Sequence, residues 1–147
     1  MGKCSSLRGL CIIPEGRYTK NCKDVGYIYE VSNITNLKDI IEYASRHNLG
    51  VLYLSNMFGL VYADDIVRRS DKPLYTMSDS DYNRWNMIVA EEVYRECVRR
   101  GVSTVSIMCK TKYTYGKLID ILEKRGVEVF TPIMGCSSRT ALDRLKF

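Results

Sequence analysis

The run Gly50-Val51-Leu52-Tyr53-Leu54-Ser55 constrains the fold of this chain more than any other segment. A strand with one solvated face alternates apolar and polar side chains. This one is apolar almost throughout, as a strand covered on both faces must be. Such a strand belongs inside a sheet with helices above and below it. Residues 103–108 and 127–130 read as further strands, and helix-length amphipathic segments separate the three. That spacing is long enough for right-handed crossovers between parallel neighbours. The expected architecture is therefore an α/β fold in three layers, a mostly parallel sheet of four or five strands with helices on both faces.

The helices carry their own punctuation. Ser78 is placed to cap a long helix starting at Asp79, with Asp81 adding early-turn negative charge. Tyr82, Trp85, Val89, Val93 and Cys97 trace its buried stripe, and Arg99-Arg100-Gly101 end it. A second helix runs from about Tyr115 to Lys124, and Ser137 can cap a terminal one. Earlier, Asn36 with Asp39 can open a helix whose stripe is Leu37, Ile40, Ile41 and Ala44. Leu10 to Ile13 reads as a short strand stopped by Pro14-Glu15-Gly16, and Tyr27 to Val31 as an edge-like strand rich in tyrosine and β-branched residues. Residues 68–77 read as an exposed loop. With no linker or repeat, 1–147 is expected to be a single domain, of which 1–35 is a divergent, loop-rich part.

Composition removes several classes of function. No apolar run reaches the roughly 20 residues that cross a bilayer, so no membrane role is expected and a cytoplasmic location is. The net charge of +5, from 22 basic and 17 acidic residues, favours acidic partners. The positives are scattered rather than gathered into a stripe. Six cysteines, at 4, 11, 22, 97, 109 and 136, form no CxxC pair, and His47 is the lone histidine. That pattern predicts no metal centre, and no cofactor motif is present. A disulfide among Cys4, Cys11 and Cys22 is one reading of the N-terminal part, free thiols the other. The absence of glutamine fits a hot environment, although seven asparagines argue against it.

In a parallel sheet, polar residues just beyond the strand C-termini converge on one edge, the usual ligand crevice. Ser55, Asn56 and Gly59 follow one strand, Lys110 and Tyr113 another, and Gly135, Ser137 and Ser138 the last. These eight are the candidate binding residues. Lys110 would attract phosphate, Tyr113 could stack or hydrogen-bond, and the helix start at Ser137-Ser138 could complete an anion site. Asp64 and Asp65, the adjacent acidic pair near this edge, are the candidate catalytic residues, for general-base action or stabilisation of a positive sugar. Neighbours on a strand point to opposite faces, so only one is expected to reach a shared pocket. Cys109 beside Lys110 is read as a buried strand-end thiol before a nucleophile.

Three segments together carry a resemblance. Leu54-Ser55-Asn56-Met57-Phe58-Gly59-Leu60-Val61, then Asp64-Asp65-Ile66, resembles the strand-loop motif of the DUF6884 family, commonly Leu-Ser-Ala-Lys-His/Tyr-Gly-Leu-Val, an acidic residue and isoleucine. Leu74, Met77 and Arg84-Trp85 fit the middle of that family. Tyr113, Leu118, Leu122, Arg125-Gly126-Val127-Glu128-Val129 and Pro132-Ile133-Met134-Gly135 fit its end. Similar signatures occur in domains attached to enzymes that modify transfer-RNA bases, and in a bacterial stress protein implicated in DNA binding. The resemblance thus implies an α/β domain with a nucleobase or nucleic-acid connection, but no settled reaction. Met57 and Phe58 stand where the family usually has lysine and then histidine or tyrosine, and Ser70 where it often has tyrosine. Loss of those polar groups favours binding over catalysis. The leading expectation is a protein that binds nucleotide, RNA or DNA. An enzyme acting on a nucleoside, a base or an N-glycosidic bond is the alternative, and a non-catalytic interaction scaffold, self-associating or not, is the third.

Overall fold

The computed structural model describes residues 6–70 and 74–147. Its sheet has five strands: β1 (Gly9–Pro14), β3 (Leu49–Ser55), β4 (Gly59–Val61), β6 (Thr104–Ile107) and β7 (Glu128–Phe130), in the order β4-β3-β1-β6-β7. Strands β3, β1, β6 and β7 are parallel, and β4 folds back antiparallel on the β3 edge. A separate two-residue ribbon pairs β2 (Val25–Gly26) with β5 (Val67–Arg68). The helices are α1 (Ile28–Val31), α2 (Leu37–Arg46), α3 (Asp79–Arg100), α4 (Lys112–Lys124) and α5 (Ser138–Leu145), with a 3-10 turn at Leu74–Thr76. The architecture is the expected three-layer α/β fold.

Alternation along β1 divides the core in two. Leu10 and Ile12 face α3 and α4 with Leu52, Leu54, Val89, Val93, Leu118 and Leu122. Cys11 and Ile13 face α1, α2 and α5 with Ile28, Ile40, Ala44, Ala141 and Leu145. Trp85 is only 8% exposed and packs in the first of these layers. Its helix has the ends its sequence specifies. The Ser78 hydroxyl accepts from the Asp81 N–H at 3.2 Å, and Gly101 ends the helix at φ 70°, where a Cβ would be disfavoured.

One local expectation is overturned. Tyr27 to Val31 is not a strand: all but the first residue form α1. Over five residues the two periodicities can hardly be separated, and here Ile28 and Val31, three apart, are the buried pair. The Glu30 carboxylate then reaches back to the Tyr27 N–H at 2.9 Å, securing the turn. The short strand expected at Leu10 to Ile13 is present as β1. It lies between β3 and β6, in the middle of the sheet, with Leu10, Cys11, Ile12 and Ile13 inaccessible.

The five described cysteines are free thiols, and Cys11 is locked in the central strand, so it joins no N-terminal disulfide. Cys4 lies outside the described residues, as does part of the expected 68–77 loop. Among the described residues no helix is long and apolar enough to cross a membrane.

Candidate ligand crevice

The connection from β1 leaves toward the α1–α2 face, and the one from β6 leaves toward α4 on the opposite face. Between strand ends that diverge in this way a doubly wound sheet opens a crevice. Here it has a volume of about 810 Å³, with Glu15 to Thr19, Asn56, Ser70, Cys109 to Thr111 and Tyr115 in its walls.

One wall is built around Lys110. The chain continues from β6, and the Gly135 N–H, in a turn with φ 78°, donates to the Lys110 carbonyl at 2.8 Å. The ammonium reaches Asn36 Oδ1 at 3.2 Å and Ser138 Oγ at 3.4 Å. Asn36 Nδ2 in turn donates to the Ser138 carbonyl at 3.2 Å. Asn36 precedes α2 and Ser138 opens α5, so Lys110 sits between two helix N-termini. Asn36 is in the left-handed region, φ 61°, and makes no side-chain cap, contrary to the capping role expected of it. Its amide is used between elements instead. Ser137 does cap, accepting from the Thr140 N–H at 3.2 Å.

The other wall carries a carboxylate. Glu15 follows directly after β1, and its Oε1 accepts from the Asn56 N–H and, at 3.0 Å, from the Ser70 hydroxyl. Burial raises its pKa above the usual carboxylate range, against the hydrogen bonds from Asn56, Ser70 and Ser55 that pull it down. Tyr115, which lines the same crevice, is 9% exposed, and its hydroxyl has no hydrogen-bond partner among the described residues. Burial, with the nearby Cys109 and Glu15, raises its pKa, so the phenol stays a proton donor. The Cys109 thiol is pushed up to about 11 by burial and stays protonated at neutral pH, which argues against a thiolate nucleophile.

The raised Glu15 pKa has a consequence for stability. A carboxyl whose folded pKa exceeds its unfolded one stabilises fully below the unfolded value, and that contribution is lost as pH rises through the folded pKa. Glutamine keeps an acceptor oxygen without titrating. The Tm difference between Glu15→Gln and the parent protein should therefore shift in the variant's favour as pH rises from about 4 to 7. Thermal melts across that range test it, and a shift in the opposite direction would refute the raised pKa.

Of the candidate residues read from sequence, the structure brings Lys110 and Ser138 together and lines the crevice with Lys110 and Asn56. Ser55 is buried beneath, its hydroxyl accepting from the N–H groups of Met57 and Phe58. Gly59, at φ 76°, allows the tight return into β4, and Gly135 the turn under Lys110. Tyr113 is 98% exposed and is not among the crevice-lining residues. Asp64 is exposed, and Asp65 closes a local turn by accepting from the Tyr62 N–H at 2.7 Å. Neither lines the crevice, because β4 carries the chain away from the parallel strand ends. Sequence reading missed Glu15, Asn36 and Tyr115. The signal for Glu15 was its place just beyond an apolar strand, the rule that selected Ser55 and Lys110. Among the described residues no cluster of three or more metal-ligating side chains occurs.

The fold and crevice define a doubly wound α/β protein with its polar groups at the switch point. Residues 28–146 match the model of DUF6884, a family of unknown function, and the chain belongs to that family. No curated protein and no solved structure matches it. Lys110, Asn36, Tyr115 and Ser138 fall inside the matched segment, whereas β1 and Glu15 precede it.

Proposed function

We propose that the crevice binds a nucleotide, with its phosphate at Lys110. The observation that carries this reading is the convergence of a lysine and two helix N-termini, with Asp39 in the first turn of α2 but no carboxylate paired to the ammonium. The Lys110 ammonium lies at the starts of α2 and α5, whose N-termini have positive dipole ends, and its hydrogen-bond partners Asn36 and Ser138 are neutral. Among the described residues Lys110 makes no ion pair with a carboxylate. An anion resolves that imbalance, and helix N-termini are suited to phosphate. The volume of about 810 Å³ leaves room for a base and sugar beyond it.

Lys110→Ala should weaken binding of a fluorescent nucleoside monophosphate about tenfold or more, in line with loss of a hydrogen-bonded charge. Its thermal transition should remain within a few degrees of the parent protein's. Parent-like affinity in the folded variant would remove the proposed site.

Exposed Tyr113 supports an extension of this reading to single-stranded nucleic acid. It lies in the first turn of α4, beside the crevice residues Thr111 and Thr114, where a base could stack on its open ring. Tyr113→Ala should leave mononucleotide binding unchanged and weaken binding of a short single strand by about fivefold or more. Equal affinity of both proteins for the strand would confine the site to mononucleotides.

A further inference from the structure

We infer that Glu15 and Tyr115 form a base-reading end of the crevice, selecting a ring with two adjacent N–H donors beside a carbonyl, the edge presented by guanine. The inference rests on the nucleotide reading of the Lys110 wall and names the nucleotide class. In the register that pairs Leu10 with Val105 and Ile12 with Ile107, the strand exits at Glu15 and Lys110 lie side by side. Their side chains nevertheless diverge. Glu15 turns toward Asn56 and Ser70, and Lys110 toward Asn36 and Ser138. An acid and a base on adjacent strands that do not pair leave a polar gap between them, open for a ligand to bridge.

The hydrogen-bonding inventory of the Glu15 wall is specific. The hydrogen bonds from Asn56 and Ser70 fall on Oε1, and an ionised carboxylate has about four acceptor sites, so capacity remains beyond these and the Ser55 hydroxyl. The Asn56 N–H and the Ser70 hydroxyl both donate to it, so the carboxylate acts as an acceptor here. Tyr115, nine-tenths buried in the crevice wall, offers an O–H with no partner among the described residues. The pair therefore presents acceptors beside one donor. Guanine answers with N1–H and N2–H to the carboxylate and O6 to the phenol, three matches. Adenine supplies one amino donor and one ring acceptor, two matches, and leaves carboxylate capacity unused. A hydrogen bond to a charged group is worth about tenfold or more in affinity.

The test is calorimetric titration of the full chain with GMP and with AMP at pH 7.5. GMP should bind about tenfold tighter than AMP. Glu15→Gln keeps an acceptor for the Asn56 N–H and the Ser70 hydroxyl but turns an amide donor toward the ring. It should bring the two affinities to within about twofold. Tyr115→Phe preserves the packing and should weaken GMP while leaving the melting temperature close to the parent's. Lys110→Ala should weaken both nucleotides alike and keep their ratio. Equal affinities in the parent protein, or a GMP preference that survives Glu15→Gln, would overturn base selection while leaving phosphate binding intact. Binding of neither nucleotide at millimolar concentration would overturn both readings.

Discussion

Gly16→Ala will destabilise the protein by about 2–4 kcal/mol, an effect usually reserved for core positions. Gly16 lies just beyond β1, where the chain passes against the segment after α1. A Cβ at this position would stand 1.8 Å from the Asn33 carbonyl oxygen and 2.5 Å from its carbon, both backbone atoms. No side-chain rotation relieves that overlap, so the two segments must separate. Separation threatens the Gly16 N–H to Ser32 Oγ bond of 3.1 Å and the Asn33 N–H to Arg17 carbonyl bond of 2.8 Å. Each contributes about 1 kcal/mol when made, and the first, whose acceptor Ser32 is buried, costs more when left unpaired. For a domain of this size the loss corresponds to a fall in Tm of about 6–12 °C. Because Glu15 and Asn33 flank the displaced segments, nucleotide binding should weaken in parallel. A thermal melt within about 1 °C of the parent would mean that these segments are farther apart than described.

Ile12→Ala should cost about 3–5 kcal/mol. Ile12 is inaccessible, pairs with Leu52 on one side and Ile107 on the other, and faces the α3–α4 layer. Truncation leaves a cavity between three strands and a helical layer, where neighbours on every side limit collapse. That is a large part of the 5–15 kcal/mol by which domains are ordinarily stable. Denaturant unfolding should show a lower midpoint with an unchanged slope. Ile66→Ala is the control: that side chain is 64% exposed, and its removal should change stability by less than about 0.5 kcal/mol. A comparable loss at both positions would contradict the central placement of β1.

What the sequence made legible was whatever is encoded locally. Ser78, Asp81 and Gly101 specify the two ends of α3 through hydrogen bonds within a few residues, and Trp85 lies on a stripe long enough to define its period. Strand order is different. It depends on pairing between residues distant in sequence, so nothing near Leu10 to Ile13 announces that β6 will lie beside it. With no neighbour assigned to Leu10–Ile13, Glu15 reads as part of a stopping turn rather than as a strand exit. The exchange of Tyr113 for Tyr115 has a similarly small cause. Two residues apart on a helix point to different faces, so which tyrosine enters the crevice depends on the start of α4 at Lys112 to within one residue. Asn36 illustrates a third limit. Its partners, Lys110 and Ser138, come from the far end of the sequence, and local capping rules describe only its immediate neighbours.

The insertion of β1 between β3 and β6 also sets an order of assembly. β1 precedes both of its neighbours along the chain, yet its second edge stays unsatisfied until Thr104–Ile107 has been made and has docked. Until then a strand of four inaccessible-in-the-native-state apolar residues offers open backbone groups to any other extended segment. Closing so distant a contact is slow, because the loop entropy is lost before the pairing is gained. During synthesis β1 is therefore expected to expose an adhesive edge until β6 docks, making it a natural client for a holding chaperone.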